Sequence, residues 1–200
     1  DKKDLKEFYH IYPWGRYPSE IGESTQLLYD FLLQISEELL SWIDDSCPAH
    51  IFKKFSVPLA DMFEDSNENL LRIINYPPLK DTNTHGAIRA QAHEDINLIT
   101  LLLAATQPGL QVKDTKGKWI NVKSTPGSLI VNIGDMLQEC SGGYFPSTVH
   151  RVINPKGDNK HKARLSIPLF VHPSEEIKLS DKYTAKSYLD ERLHEIGLKV

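Results

Sequence analysis

A histidine and a carboxylate stand two residues apart in His93-Glu94-Asp95. Side chains alternate across a β-strand, so His93 and Asp95 point to one face and Glu94 to the other. An imidazole and a carboxylate placed this way can grip one metal ion from a single edge. Taken alone, such a triplet is ordinary surface chemistry. His150, in the later segment STVHRVIN, can join them if sequence-distant strands fold side by side. Two neutral imidazoles and one carboxylate on one face leave adjacent coordination positions open. That set suits non-haem Fe(II) and oxygen chemistry, whereas structural zinc takes a closed, sulfur-rich shell. Arg164 and Ser166 flank Leu165 and share a face by the same parity. A guanidinium and a hydroxyl so placed form a receptor for a carboxylate, with the planar fork giving bidentate contact. Charge links the two groups. Fe(II) with one Asp nets one positive charge, a chelating 2-oxo diacid brings two negative ones, and Arg164 returns one positive. The site then closes at zero, as a desolvated interior requires.

The elements that must position these residues change character along the chain. From Ser24 to about Asp45 the apolar residues Leu28, Phe31, Leu32, Ile35, Leu39, Trp42 and Ile43 recur at three- and four-residue steps. They predict one helix with a buried stripe, Ser24 as its N-cap and Pro48 just beyond its end. A shorter helix is expected over Leu59–Asp65. After Asn69 the segments LLRIINYP, HGAIRAQAHED, NLITLLLAA, GLQVKD, KWINVK, SLIVNIGD, STVHRVIN and ARLSIPLFVH are short and β-branched or alternating. Gly, Pro, Asn and Asp clusters separate them, the pattern of an all-β sandwich or barrel, and no helical pattern fits between them to make βαβ units. A last helix is expected over Thr184–Ile196, with Leu189, Leu193 and Ile196 on one face and Gly197 as its stop. The expected fold is mainly β with flanking helices around a double-stranded β-helix, or jelly-roll, core. Residues 1–68 form a helical segment packed on the core, 69–175 the jelly roll and 176–200 the C-terminal helix, all as one structural unit.

Composition narrows the function. The 200 residues are 40% hydrophobic and 25% charged with a net charge of −4, enough to bury a core without a staple. The mild acidity and the lack of a polybasic run argue against a nucleic-acid partner. No apolar stretch approaches the roughly 18–20 residues of a membrane span. Cys47 and Cys140 have no CxxC or zinc spacing and read as free thiols in a reducing cytoplasm.

The blocks HEDINLITLLL, PGLQVKDTKGKWINV, PGSLIVNIGDMLQECSGGYFPSTVHRVINP and ARLSIPLFVHP resemble the Fe(II)/2-oxoglutarate-dependent dioxygenases, in their isopenicillin-N-synthase-like branch. The resemblance runs from about Asp4 to Leu198, with HxD, His and RxS in the family's order and spacing. It implies that His93, Asp95 and His150 are catalytic iron ligands and that Arg164 and Ser166 bind the distal carboxylate of 2-oxoglutarate. Tyr76 in NYPP matches a tyrosine that reaches the same carboxylate, and Asn132 in VNIGD falls in a block lining the floor of such sites. The implied cofactors are Fe(II), 2-oxoglutarate as cosubstrate and O2. The implied reaction couples decarboxylation of 2-oxoglutarate to succinate and CO2 with hydroxylation, desaturation or cyclisation of a small molecule. Against the family, DKKDLKEFYH resembles a segment normally preceded by an N-terminal strand–helix region, so Asp1 is expected to be an internal starting point.

Strand parity makes one expectation without the family. If His93 faces the barrel interior, so do Gln91 and Arg89, and an inward arginine favours a carboxylate-bearing substrate. Strand bulging, or emergence of Arg89 at the rim, is the alternative. Phe170 follows Ser166 inward as a pocket wall or as core. Tyr144 and Phe145 could border the entrance. His10, His50, His85, His161, His172 and His194 lack a ligand-spaced partner and read as surface or packing residues, His85 being the least settled. An iron oxidase of the isopenicillin N synthase type, which uses no 2-oxoglutarate, fits the RxS pair equally, since there the pair grips the substrate. A non-catalytic jelly-roll binding module is the remaining reading.

Overall fold

The computed structural model describes residues 4–79, 86–123 and 125–198. In chain order the elements are β1 (Glu7–Ile11), α1 (Glu23–Ser46), α2 (Ala49–Phe52), α3 (Leu59–Met62), β2 (Leu70–Tyr76), β3 (Ala90–His93), β4 (Ile99–Leu103), β5 (Leu110–Lys113), β6 (Trp119–Asn121), β7 (Leu129–Ile133), α4 (Asp135–Cys140), β8 (His150–Val152), β9 (Arg164–Ser166), β10 (Pro168–Val171) and α5 (Ala185–Glu195). Two antiparallel sheets make the jelly roll. One runs β1-β2-β10-β4-β7, with β9 also on β2; the other runs β3-β8-β5-β6. All eight predicted β segments carry strands, with ARLSIPLFVH divided into β9 and β10. Strand β1, absent from the sequence expectation, ties the N-terminal segment into the larger sheet, from Glu7 opposite Asn75 to Ile11 opposite Leu71.

Alternation gives the larger sheet two unlike faces. Leu71, Ile99, Leu101, Leu169 and Val171 are buried in the principal core, which α1 and the short helices cover. Their neighbours Arg72, Ile74, Tyr76, Thr100, Leu102, Pro168 and Phe170 face the barrel interior. Cross-strand register stacks that inner face. Phe170 lies opposite Thr100, Thr100 opposite Asn132, and Tyr76 opposite Arg164.

Helix α1 lies where its periodicity puts it, but its buried line is rotated from the predicted stripe. Tyr29, Leu32, Ser36 and Leu40 are buried, whereas Phe31 and Trp42 are 56% and 59% exposed. Ser36 is tolerated inside because its hydroxyl donates to the Leu32 carbonyl at 2.8 Å. Ser24 is not the N-cap; Gly22 holds that place without a side-chain cap. The helix stops at Cys47, whose extended backbone is what a residue before proline prefers. The predicted 59–65 helix closes early, at Met62. In α5 a Thr184–Ser187 capping box sets the start. Gly197, at φ +80°, makes the stop: its N–H bonds the His194 carbonyl while Leu198 N–H bonds that of Leu193. Ala185 and Tyr188 are buried on this helix; Ile196 is 65% exposed, so the expected apolar face is cut short.

Candidate metal centre

His93 ends β3 and His150 begins β8, and the pairing of these strands sets the two residues opposite each other. Asp95 follows two residues later and is buried. Its carboxylate Oδ1 lies 3.8 Å from Nε2 of both His93 and His150. Among the described residues these three form a group whose potential ligand atoms all lie within 4.8 Å of one another. The spacing is too long for hydrogen bonds and suits donors sharing a cation at bonds of about 2 Å.

Each donor is oriented from behind. Nδ1 of His93 lies 2.7 Å from the Gln91 carbonyl and Nδ1 of His150 lies 2.9 Å from that of Thr148. A carbonyl only accepts, so each Nδ1 carries the proton and each Nε2 keeps its lone pair for a metal. The second oxygen of Asp95 accepts from Thr100 Oγ1 at 2.7 Å and Asn132 Nδ2 at 3.0 Å. Asn97 Nδ2 donates to Thr100 Oγ1 at 2.9 Å. Gly134 closes this layer, because a Cβ there would come within 2.2 Å of the Asn97 carbonyl oxygen. Burial and the charge of His150 push the His93 pKa down, which favours the neutral ligand form. Burial works to raise the Asp95 pKa, but His150, Asn132, His93 and Thr100 together hold it low, so the carboxylate stays ionised. Two neutral imidazole nitrogens and one carboxylate fit an iron(II) centre with open positions.

A cavity of about 70 Å³ adjoins the triad, and Tyr76, Asn132, Arg164, Ser166 and Phe170 line it. Arg164 is buried; its Nε donates to the Gln107 carbonyl at 2.9 Å, and its Nη1 has no hydrogen-bond partner. Its guanidinium carbon sits 5.1 Å from the centre of the Tyr76 ring. A buried guanidinium with an open donor beside a serine and a tyrosine is a fitting receptor for a dicarboxylate's far end. A larger groove of about 1250 Å³ runs from Phe31 and Ile35 to the segments flanking β5 and β7. It contains none of the triad, so the chemistry belongs to the smaller cavity.

Two expected residues take other positions. A register shift between Ala90 and His93 breaks the parity that was to carry Arg89 and Gln91 inward. Ala90 lines the cavity instead, Gln91 is exposed, and Arg89 is buried with Nη2 donating to the Lys162 carbonyl at 2.8 Å. Neither Tyr144 nor Phe145 borders the cavity: Tyr144 is 48% exposed and Phe145 packs on the principal core. His172 is a packing residue, with burial taking its pKa down to about 4. His85 lies outside the described residues. The sequence reading passed over Arg72, Thr100 and Lys6, all on the cavity wall. Counting back by two from Tyr76 would have reached Arg72; Lys6, near the chain's start, had no such signal.

The 2OG-Fe(II) oxygenase superfamily model matches residues 67–173. A 2-oxoglutarate-dependent dioxygenase 11 from Oryza sativa subsp. japonica is 38% identical over 144 residues, 66% of this chain and 38% of its own. Flavonol synthase 1 from Crocosmia x crocosmiiflora is 30% identical over 205 residues, 92% of this chain and 58% of its own. The chain thus spans 38% and 58% of these two relatives' lengths. Among solved structures, a Shewanella oneidensis protein assigned as an oxygenase superposes with a TM-score of 0.90 at 54% identity, covering 98% of this chain and 73% of that one. A Neurospora crassa protein solved in complex with alpha-KG and thymine gives 0.78 at 26% identity over 98% of this chain and 66% of that one.

Proposed function

This chain belongs to the 2OG-Fe(II) oxygenase superfamily, and from that premise we propose that it couples oxidative decarboxylation of 2-oxoglutarate to oxidation of a small molecule. The observation that carries the reading is the meeting of two receptors in one cavity. The metal-binding triad and the Arg164–Ser166 pair line the same 70 Å³ space. His93, Asp95 and His150 hold Fe(II). Arg164 and Ser166, with Tyr76 behind them, bind the distal carboxylate of 2-oxoglutarate. Asn132 and Thr100 act on Asp95, fixing its free oxygen so that the other faces the metal. Iron, 2-oxoglutarate and O2 supply the oxidising power; the chain supplies ligand geometry, a carboxylate anchor and a cavity walled by Ile74, Leu102, Ile130 and Val152 that keeps water out.

The oxidase alternative assigns the open Arg164 donor to a substrate carboxylate. Anaerobic addition of Fe(II) and then 2-oxoglutarate separates the two. The expected result is a visible metal-to-ligand charge-transfer band that saturates with 2-oxoglutarate. Bound iron without a band would overturn the 2-oxoglutarate reading, and failure to bind iron would leave a non-catalytic jelly roll. We place the protein in the cytoplasm as one structural unit. The free thiols of Cys47 and Cys140 support this setting, and no described helix is long and apolar enough to cross a membrane.

A further inference from the structure

We propose that Arg72 is the substrate-reading cation of this site and that the substrate is a small monocarboxylate. The inference rests on the oxygenase reading and names what that oxygenase takes. Arg72 shares the inner face of β2 with Ile74 and Tyr76, and all three line the cavity beside the triad. Its guanidinium carbon lies 4.7 Å from the centre of the Phe170 ring and 5.0 Å from that of Phe8. Both rings lie within cation–π reach of the guanidinium. Along its edge, Nε donates to His10 Nε2 at 2.7 Å, while Nη1 and Nη2 have no acceptor among the described residues. That free pair is the fork that binds a carboxylate bidentately.

Among the described residues no carboxylate lies within ion-pair distance of Arg72, and the nearby Asp95 is already engaged by Thr100, Asn132 and the metal position. Burial and the Arg72 charge take the His10 pKa down to about 4, so His10 accepts as a neutral ring. Of the other two cations on the wall, Arg164 is assigned to 2-oxoglutarate and Lys6 is paired with Asp4 at 2.8 Å. Arg89 does not line the cavity; its Nη2 donates to the Lys162 carbonyl, while its Nε and Nη1, without a partner among the described residues, lie away from the cavity wall. Iron, Asp95, a 2-oxoglutarate dianion and Arg164 already balance. Arg72 adds one positive charge, and a substrate with one negative charge restores neutrality in a desolvated site.

The test uses the anaerobic Fe(II)·2-oxoglutarate complex, with a panel of small monocarboxylates each paired with its own primary amide. Binding is read by saturation-transfer NMR and by perturbation of the charge-transfer band. Acids are expected to bind at least ~10-fold tighter than their amides, the scale of a charge-assisted hydrogen-bonded pair. Arg72→Gln should erase that preference and Arg72→Lys should keep part of it, while the affinity for 2-oxoglutarate, read from the band, stays within about twofold. Equal binding of acids and amides by the native protein overturns the proposal, even if Arg72→Gln fails to fold. So does an acid preference that survives Arg72→Gln, or an intact band with no acid bound. A parallel loss of 2-oxoglutarate affinity in the variant would reassign Arg72 to the cosubstrate and also overturn it. Absence of the band in the native protein is a different failure, that of the oxygenase reading itself.

Discussion

The two faces of the six-stranded sheet are built from the same strands and do opposite work. Toward the helices, Leu71, Leu101 and Leu169 show no exposed surface and belong to the principal apolar core. Toward the barrel interior, their immediate neighbours are Arg72, Thr100 and Pro168, with Tyr76, Asn132 and Arg164 on the same wall. The helix face can be apolar because α1 brings its own apolar side chains to it. The inner face must carry donors and charges, each of which costs several kcal/mol if buried without a partner. Part of that cost is met locally: Thr100 and Asn132 donate to Asp95, and Asn97 donates to Thr100. Arg164 keeps one open donor, which is the mark of a ligand position. Stability and function are therefore interleaved at a period of two residues, and the next residue along a strand can belong to the other role.

Breaking the inner face at its centre should have the largest effect. Asp95→Ala, and likewise His93→Ala, removes a proposed ligand and should abolish both iron binding and turnover. Loss of His150 should do the same. Each effect should exceed the ~10–100-fold expected when only a supporting residue is lost. Glu94→Ala, by contrast, should retain both. Iron content after anaerobic loading and gel filtration checks the set; an Asp95→Ala protein that still holds stoichiometric iron would dissolve the triad.

The sharpest comparison is between adjacent residues. Leu101→Ala should cost ~3 kcal/mol by urea unfolding, the usual loss for a buried leucine, with iron affinity unchanged. Thr100→Ala should cost only ~1 kcal/mol but weaken iron ~10–100-fold, because it frees the Asp95 carboxylate to turn. Equal losses of iron affinity in the two variants would show that the faces are not separable.

Much of this division was legible from sequence, because alternation is a geometric property of an extended chain. His93 with Asp95, Arg164 with Ser166, and the inward turn of Phe170 follow from counting by two. What counting misses is a change of register. The shift in β3 leaves no residue signature, since Ala90-Gln91-Ala92 contains neither glycine nor proline, so parity alone cannot choose between an inward Arg89 and Gln91 and the bulged strand that the structure has. In α1 the apolar residues outnumber the positions a single core stripe can hold. Periodicity then identifies the helix without choosing which of Phe31, Leu32 and Trp42 face inward; the sheet beneath it makes that choice. The short α4 and edge strand β1 depend on contacts distant in sequence, such as Asp135 N–H to the Asp95 carbonyl at 2.8 Å.

A pH experiment probes the boundary between the faces. His172, directly after β10, is buried with its pKa lowered to about 4, chiefly by burial; an unfolded histidine titrates near 6.5. Between these values the unfolded chain binds a proton that the folded chain refuses. The stability associated with neutral His172 is therefore complete above about pH 6.5 and drains as pH falls toward 4, by roughly 2–3 kcal/mol. Urea unfolding of the native protein and of His172→Gln at pH 7 and pH 4.5 measures it. The gap between the two proteins should narrow or reverse at the lower pH; parallel losses would show that His172 is not the group responsible.

The smallest expected effect is the most direct check on the register shift. With regular pairing, Gln91 would sit two residues before His93 on the inner face, and its loss would change substrate binding. With the shift, its side chain is exposed. Its contributions to the site are then backbone ones: the carbonyl that accepts from His93 Nδ1 and the N–H that donates to Asp4. Alanine preserves both. Gln91→Ala should therefore leave iron affinity, 2-oxoglutarate affinity and turnover within about twofold, and unfolding within the ~0.5 kcal/mol typical of surface substitutions. Ala90→Leu, one residue earlier, should intrude on the cavity and lower 2-oxoglutarate affinity while His93 keeps its place. A strong effect at Gln91 with none at Ala90 would restore the regular strand and return Gln91, with Arg89 behind it, to the inner wall.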